Sequence, residues 1–284
     1  MAISKREAHP IPETSSNTFI YNQQWTATTY ILVFLLIIAS FLSGSLYTKV
    51  TYLEKNGVLG TTTTAVQAEV TPTVAPVTLE MVKDVFDKSQ IKFGDSKNKL
   101  VFIEVADPSC PYCHVAGGYD GELNKQVGSQ FTLVSDGGTY VAPMPEIEDL
   151  VKNNKASFAY IYFPGHGNGE MGTKAMYCAF DEGKFWEVHN KLMGYEGYNL
   201  MNNTIQNDKS KSKELADFLS DVIDPSAIQK CLDSGKYDNR LSDDMNLANT
   251  LQVNGTPGFY INETKFGGAY SYKDMESAVS SALQ

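Results

Sequence analysis

The chain has 284 residues, of which 42% are hydrophobic and 20% charged, close to the globular average. It is neither collagen-like nor disordered throughout, and is long enough for one or two domains. Its 23 Lys+Arg against 33 Asp+Glu leave a net charge of −10, without the basic excess that a general nucleic-acid binder needs to neutralise phosphates. Four cysteines are too few for a disulfide-dense mini-domain, so their positions carry more than their number.

No charged side chain lies between Glu13 and Lys49. Within that stretch Ile31–Ile38 is unbroken apolar sequence, and Ala39–Tyr47 extends it, with Trp25, Tyr30 and Tyr47 at its ends as interfacial aromatics. Thr28–Tyr47 meets the length of about 20 residues that a helix needs to cross a bilayer core. The spacing predicts an N-terminal polar tail over 1–27 and a transmembrane signal anchor over 28–48. A cleaved signal peptide ending near Ser43-Gly44-Ser45 is the rival, against which stand the long polar leader and the distance of Lys5 and Arg6 from the apolar run. Residues 49–77, rich in Thr, Ala, Val and Pro without helical period, read as a flexible linker. The folded part is expected over 78–284.

Thr78 caps a helix carrying Leu79, Val82, Val85 and Phe86 on one side. Lys99–Ala106 is a short apolar run rich in β-branched residues, a buried strand ended by Asp107-Pro108, and Ala156–Phe163 is a second, closed by Pro164-Gly165. From about 169 to 252 the pattern is helical. Lys184–Met193 places Phe185, Val188, His189 and Leu192 on one face. Asp224-Pro225 starts another helix, and Leu241, Met245, Ala248 and Leu251 are in register on a third. Gly258–Asn262 and Phe266–Tyr270 return to strand, and Tyr272–Leu283 closes the chain as a helix. The order predicts an α/β fold with an inserted helical subdomain.

Cys110-Pro111-Tyr112-Cys113 follows the first strand and opens a helix. Two thiols so spaced can close a small disulfide with little backbone movement. The first faces the unpaired N–H groups of the helix start, which favour its thiolate, and Pro111 removes an N–H that no helical bond needs. Cys110 is then the accessible nucleophile and Cys113 the inner, resolving thiol. The alternatives are c-type haem attachment, since Cys113 precedes His114, a zinc site, for which Cys178, Cys231, His166 and His189 are not clustered, and a structural disulfide. A dithiol–disulfide redox centre without metal or organic cofactor fits best. Strand alternation puts Glu104 on the side of Phe102 and Ala106, a part-buried carboxyl able to shuttle the inner thiol's proton; a solvent-facing Glu is its alternative. His114 is expected to be exposed on the first helical turn, beside the active-site loop residues Pro111 and Tyr112.

Cys110-Pro111-Tyr112-Cys113 after a strand, a carboxylate six residues earlier, a helical insertion and then Gly255-Thr256-Pro257 leading into a strand resemble the DsbA-like thiol–disulfide oxidoreductases of the thioredoxin-fold superfamily over about Lys99–Leu283. The resemblance implies a thioredoxin-like fold, a cis Thr256–Pro257 peptide lying against the redox pair and helping to bind substrate chain, and Glu104 in the family's buried acidic position. The segment Gly117–Met144 departs from the pattern, being longer and richer in glycine than the family's active-site helix leads one to expect. In an oxidising compartment Cys178 and Cys231, both in the helical insertion, are expected to form a structural disulfide; two buried free thiols are the alternative.

The reading is of a single-pass, membrane-anchored thiol–disulfide oxidoreductase with its domain outside the cytoplasm. It would act on protein substrates with free thiols and be re-oxidised by a membrane, quinone-linked partner. A disulfide isomerase or reductase with the same centre, and a non-catalytic client-binding module, are the alternatives. The absence of a dimerisation domain ahead of the redox domain favours the oxidase; a Thr before the Pro weighs slightly the other way.

Overall fold

A computed structural model describes residues 75–284 without a break, together with positions 32, 34–36, 38 and 40 of the apolar run, which are helical. The expected tail over 1–27, most of the anchor over 28–48 and the linker up to residue 74 lie outside the described residues. Among the described residues, no helix is long and apolar enough to cross a membrane.

The body begins with α1 (Leu79–Lys88), whose first turn is capped by the Thr78 hydroxyl accepting from the Met81 N–H. There follow β1 (Ile91–Phe93), β2 (Val101–Ala106), α2 (Pro111–Gly117), α3 (Gly121–Val127), α4 (Pro143–Lys152) and β3 (Ser157–Tyr162). The helical block is α5 (Glu170–Asp181), α6 (Phe185–Leu192), α7 (Tyr195–Asn199), α8 (Ser212–Phe218), α9 (Pro225–Asp233) and α10 (Arg240–Thr250). The chain returns to β4 (Gly258–Ile261) and β5 (Thr264–Gly267) and closes with α11 (Tyr272–Leu283).

The five strands form one sheet in the order β1-β3-β2-β4-β5. Only β2 and β3 are parallel; the outer pairs are antiparallel. Every residue of β2 and β3 is buried, which matches their near-continuous apolar sequence, because helices cover both faces. One face of the sheet, through Val101, Ile103, Val105, Ala159 and Ile161, packs on Val82, Val85 and Phe86 of α1 and on Ala248 of α10. The other, through Phe102, Ala106, Phe158, Tyr160 and Tyr162, meets α2, α4, the inserted helices and α11. Burial of this second face draws most of the core into one cluster that also contains both thiols of the Cys110–Cys113 pair.

Two features differ from the sequence expectation. The short strand β1 pairs with β3 at the sheet edge, held by Phe93, which meets Phe180 edge-on with ring centroids 5.5 Å apart. Three residues carry no readable period, so packing, not pattern, makes this strand. The glycine-rich segment after the cysteines breaks into short pieces instead of prolonging one helix. Helix α2 stops at Gly118 in the left-handed conformation (φ 63°), where a Cβ would also stand 2.2 Å from that of Ala142. Asn124 then pins the pieces together, its buried amide donating to the carbonyls of Val115 and Phe131.

Candidate active site

Cys110 is the N-cap of α2, with Pro111 in its first turn. The N–H groups of Cys113 and His114 both donate to the Cys110 carbonyl, so the two thiols lie on the same opening turn of the helix. Both are free and nearly or wholly buried. Cys110 lies at the rim: its thiol donates to the carbonyl of Thr256 at 3.5 Å. Cys113 lies beneath, its sulfur accepting the N–H of Asp107 at 3.5 Å.

The two thiols differ in acidity. The neighbouring Cys113 thiol, against the opposing effect of burial, brings the Cys110 thiol down to about 6, helped by Thr256 and by the first-turn amides of Cys113 and Tyr112. Burial pushes the Cys113 thiol up, and a Cys110 thiolate beside it pushes it further. Cys110 is thus the thiol of the pair that ionises first, and Cys113 the one that keeps its proton.

The peptide bond between Thr256 and Pro257 is cis, and the Pro257 carbonyl is fixed by the Gly268 N–H at 2.8 Å. The long helical insertion thus brings residues some 146 positions apart into contact at the Cys110 sulfur. Tyr112 is half exposed and packs edge-on against Phe131, with centroids 5.9 Å apart. Phe131 in turn lines a surface groove of about 650 Å³ together with Tyr140, Gly268, Tyr270 and Lys273.

His114 is a correction. It is 2% exposed, not a surface residue of the first turn, and is not presented to a client. Its Nε2 meets the Pro108 carbonyl at 2.8 Å and its ring lies edge-on to Tyr198. Tyr198 of α7 and the turn at Met193-Gly194 before it cover the side of α2 that would otherwise face solvent. Burial holds its imidazole below the usual histidine range, against the pull of the Pro108 carbonyl. Glu104 is wholly buried, deeper than expected, because β2 is the central strand and is covered on both faces. Its Oε2 stands 3.5 Å from His189 Nε2. Cys178 and Cys231 are joined by a disulfide between α5 and α9, well away from Cys110 in sequence.

Two further residues shape the site. Asp107, wholly buried, accepts at Oδ1 from the N–H and hydroxyl of Ser109, and at Oδ2 from the N–H groups of Gly165, His166 and Gly167. Its own carbonyl takes the Cys110 N–H at 2.9 Å. This one side chain clamps the loop after β3 against the Cys110 turn. Gly165 is where that loop touches the site: a Cβ there would lie 1.7 Å from Thr256 Oγ1 and 3.2 Å from Cys110 Cβ. Asp107 is legible as a turn-forming residue two before Ser109; its reach to Gly165 is not, because it spans 58 residues. Among the described residues no group of His, Cys, Asp or Glu is placed to hold a metal ion.

Residues 145–281 match a family model described as thioredoxin, a stretch that begins after the Cys110–Cys113 pair. A relative from Rickettsia conorii, named for protein-disulfide oxidoreductase, is 22% identical over 205 residues, covering 70% of this chain and 62% of its own length. An Na(+)/H(+) antiporter NhaA 3 from Salinispora tropica is 22% identical over 201 residues, covering 69% of this chain. The chain spans only about a quarter (25%) of the length of that antiporter. Among solved structures, a variant of Wolbachia pipientis alpha-DsbA1 superposes with a TM-score of 0.52 at 17% identity, covering 72% of this chain and 95% of that one. The chain thus resembles DsbA-like proteins, and its fold is α/β, thioredoxin-like, with a helical insertion.

Proposed function

We propose that the protein is a thiol–disulfide oxidoreductase that makes disulfides in exported proteins through Cys110 and Cys113. The observation that carries this reading is the asymmetry of the pair: a low-lying thiol at the rim against the Thr256 carbonyl, and a neutral thiol buried behind it. The likeness to proteins named as disulfide oxidoreductases supports it.

In the oxidised enzyme a client thiolate attacks Cys110 Sγ. A client–Cys110 disulfide forms, the Cys110–Cys113 bond breaks, and its electron pair leaves on Cys113. A second client thiolate then attacks the mixed disulfide, a client disulfide forms, and Cys110 leaves as thiolate. The client loses two electrons and the enzyme dithiol gains them. Cys110 is the better leaving group because its thiolate is stabilised. The Thr256–Pro257 backbone, with its carbonyl at the sulfur, and the half-exposed Tyr112 offer the surface against which a client chain lies. Glu104 is the buried proton carrier for Cys113.

The acidity of Cys110 favours one direction. A thiol at about 6 is roughly nine-tenths ionised at pH 7, which stabilises the reduced enzyme by about 1.4 kcal/mol relative to an ordinary thiol. That raises the reduction potential by about 30 mV and favours disulfide donation. The apolar run at 28–48 supports a single-pass anchor, and the Cys178–Cys231 disulfide supports an oxidising compartment outside the cytoplasm. A reduced enzyme there needs a membrane oxidant, and a quinone-linked partner supplies that chemistry.

The test is the reduction potential of the Cys110–Cys113 pair equilibrated against glutathione. A value near −120 mV, of the order found for strong oxidants, is the expected result. A value near −270 mV, of the order found for reductants, reverses the direction. A pair that does not equilibrate leaves a client-binding module.

A further inference from the structure

Glu104 on β2 and His189 on α6 are both wholly buried, with Oε2 and Nε2 3.5 Å apart. Neither Glu104 oxygen nor this ring nitrogen has a hydrogen-bond partner among the described residues. A small rotation of either side chain closes the gap to hydrogen-bond length. A lone carboxylate buried in this way loses its hydration, so what stands opposite it decides whether it can ionise.

The other side of the imidazole fixes its tautomer. Lys152 Nζ holds Glu148 Oε1 at 2.6 Å, so this carboxylate faces its neighbours as an acceptor. Asn190 therefore turns its Nδ2 to Glu148 Oε2, at 3.0 Å, which leaves its Oδ1 against His189 Nδ1, also at 3.0 Å. An amide oxygen cannot donate, so Nδ1 carries a hydrogen. Neutral His189 then presents the Nε2 lone pair to Glu104.

We propose that Glu104 and His189 hold one shared proton on the strand that runs into Asp107, whose N–H meets the Cys113 sulfur. His189 is the positioning residue that holds the shared proton at Glu104, so that the resting pair carries no lone charge in the core. With one proton the pair is neutral in either arrangement, carboxylic acid with imidazole or carboxylate with imidazolium. The inference rests on the thiol-exchange reading above. When the Cys110–Cys113 bond breaks and the electron pair leaves on Cys113, Glu104 supplies the proton that neutralises it. The pair is left as a carboxylate facing a lone pair, and regains one proton from solvent.

The other ionisable groups around His189 are consistent with this. Tyr160 from β3 and Tyr119 from the turn after α2 both stay neutral, their phenols raised first by burial and then by nearby carboxylates. Glu104 and Cys113 are both among the charges that act on Tyr160, whose hydroxyl donates to the Ala106 carbonyl at 3.4 Å. From α4 come Glu148 and its partner Lys152. Burial works against a charge on His189, but Glu104, Asn190 and Glu148 outweigh it and raise the imidazole above its usual range.

The experiment uses the full chain labelled with nitrogen-15 in histidine, with the four histidines assigned through the backbone. The wild-type spectrum alone tests the tautomer: Nδ1 stays protonated at every pH and only Nε2 titrates. In the isosteric variant E104Q the Nε2 midpoint is expected to fall by at least about one pH unit. A neutral Nε2–H tautomer in the wild type, or a midpoint unmoved by E104Q, overturns the proposal. A second variant, H189Q, carries an amide but no titrating proton. It is expected to slow reduction of the Cys110–Cys113 disulfide by glutathione by at least about tenfold around neutral pH. The Cys110 midpoint, read by alkylation of the reduced protein, should not move. Unchanged reduction rates across the pH range overturn the proposal. A wild-type disulfide that glutathione does not reduce overturns the oxidoreductase reading instead, and the histidine spectrum reads the shared proton separately.

Discussion

Asp107 Oδ2 accepts the Gly165 N–H at 2.8 Å, and this bond joins the residue three before Cys110 to the loop that closes over it. The same carboxyl takes four other donors, from Ser109, His166 and Gly167. Replacing it by alanine leaves buried N–H groups with no acceptor, and D107A is expected to lose at least about 3 kcal/mol of stability. D107N, which keeps one oxygen, is expected to lose less. Urea unfolding measures both. With the loop released, alkylation of Cys110 should quicken, and unchanged alkylation would show that the loop does not cover the thiol.

Gly165→Ala tests the other end of that contact. The added methyl would overlap Thr256 Oγ1 and press on Cys110 Cβ. The loop or the Thr256–Pro257 turn has to move, so thiol exchange with a peptide client is expected to slow by about tenfold or more. Adding T256A removes the nearest obstructing atom, and part of the rate should return, though not all, because Cys110 Cβ remains. Equal rates in G165A and wild type would mean that this approach does not shape the client surface.

Much of this architecture was written in local pattern. The strands β2 and β3 were legible because each is an apolar run bounded by Pro or Gly, and α6 because Phe185, Val188, His189 and Leu192 keep helical spacing. Cys110 and Cys113 were legible because their chemistry depends on spacing along the chain. The reach of Asp107 to Gly165 and the pairing of Glu104 with His189 were not, because each joins residues tens of positions apart that no local period marks. His114 was misplaced for the same reason: its position on α2 says which face it occupies, and only the packing of later helices says that this face is covered.

The Cys178–Cys231 disulfide closes a separation of 53 residues between α5 and α9. Restricting an unfolded loop of that length is worth about 4 kcal/mol. The double variant C178A/C231A should melt earlier by an amount consistent with that loss, while the Cys110 midpoint should not move. Thermal denaturation measures the first and alkylation against pH the second. A large change in Cys110 acidity would instead couple the helical insertion to the redox centre.

The acidity of Cys110 makes the stability of the reduced protein depend on pH, with a definite sign. Its folded value, about 6, lies below its ordinary 9.0, so the folded state holds the thiolate more readily than the unfolded chain does. The resulting stabilisation is complete above about pH 9, shrinks as pH falls towards 6, and is absent below that. The oxidised protein has no such thiol and shows no such term. The difference in unfolding free energy, reduced minus oxidised, should therefore rise between pH 6 and pH 9, by about 1.4 kcal/mol for each unit in the steep part. Urea unfolding of both redox forms across that range measures it. The ultraviolet absorbance of the thiolate in the reduced form should titrate with a midpoint near 6 and vanish in C110S. A midpoint near 9, with a flat difference between the two forms, would remove the asymmetry on which the proposed disulfide transfer rests.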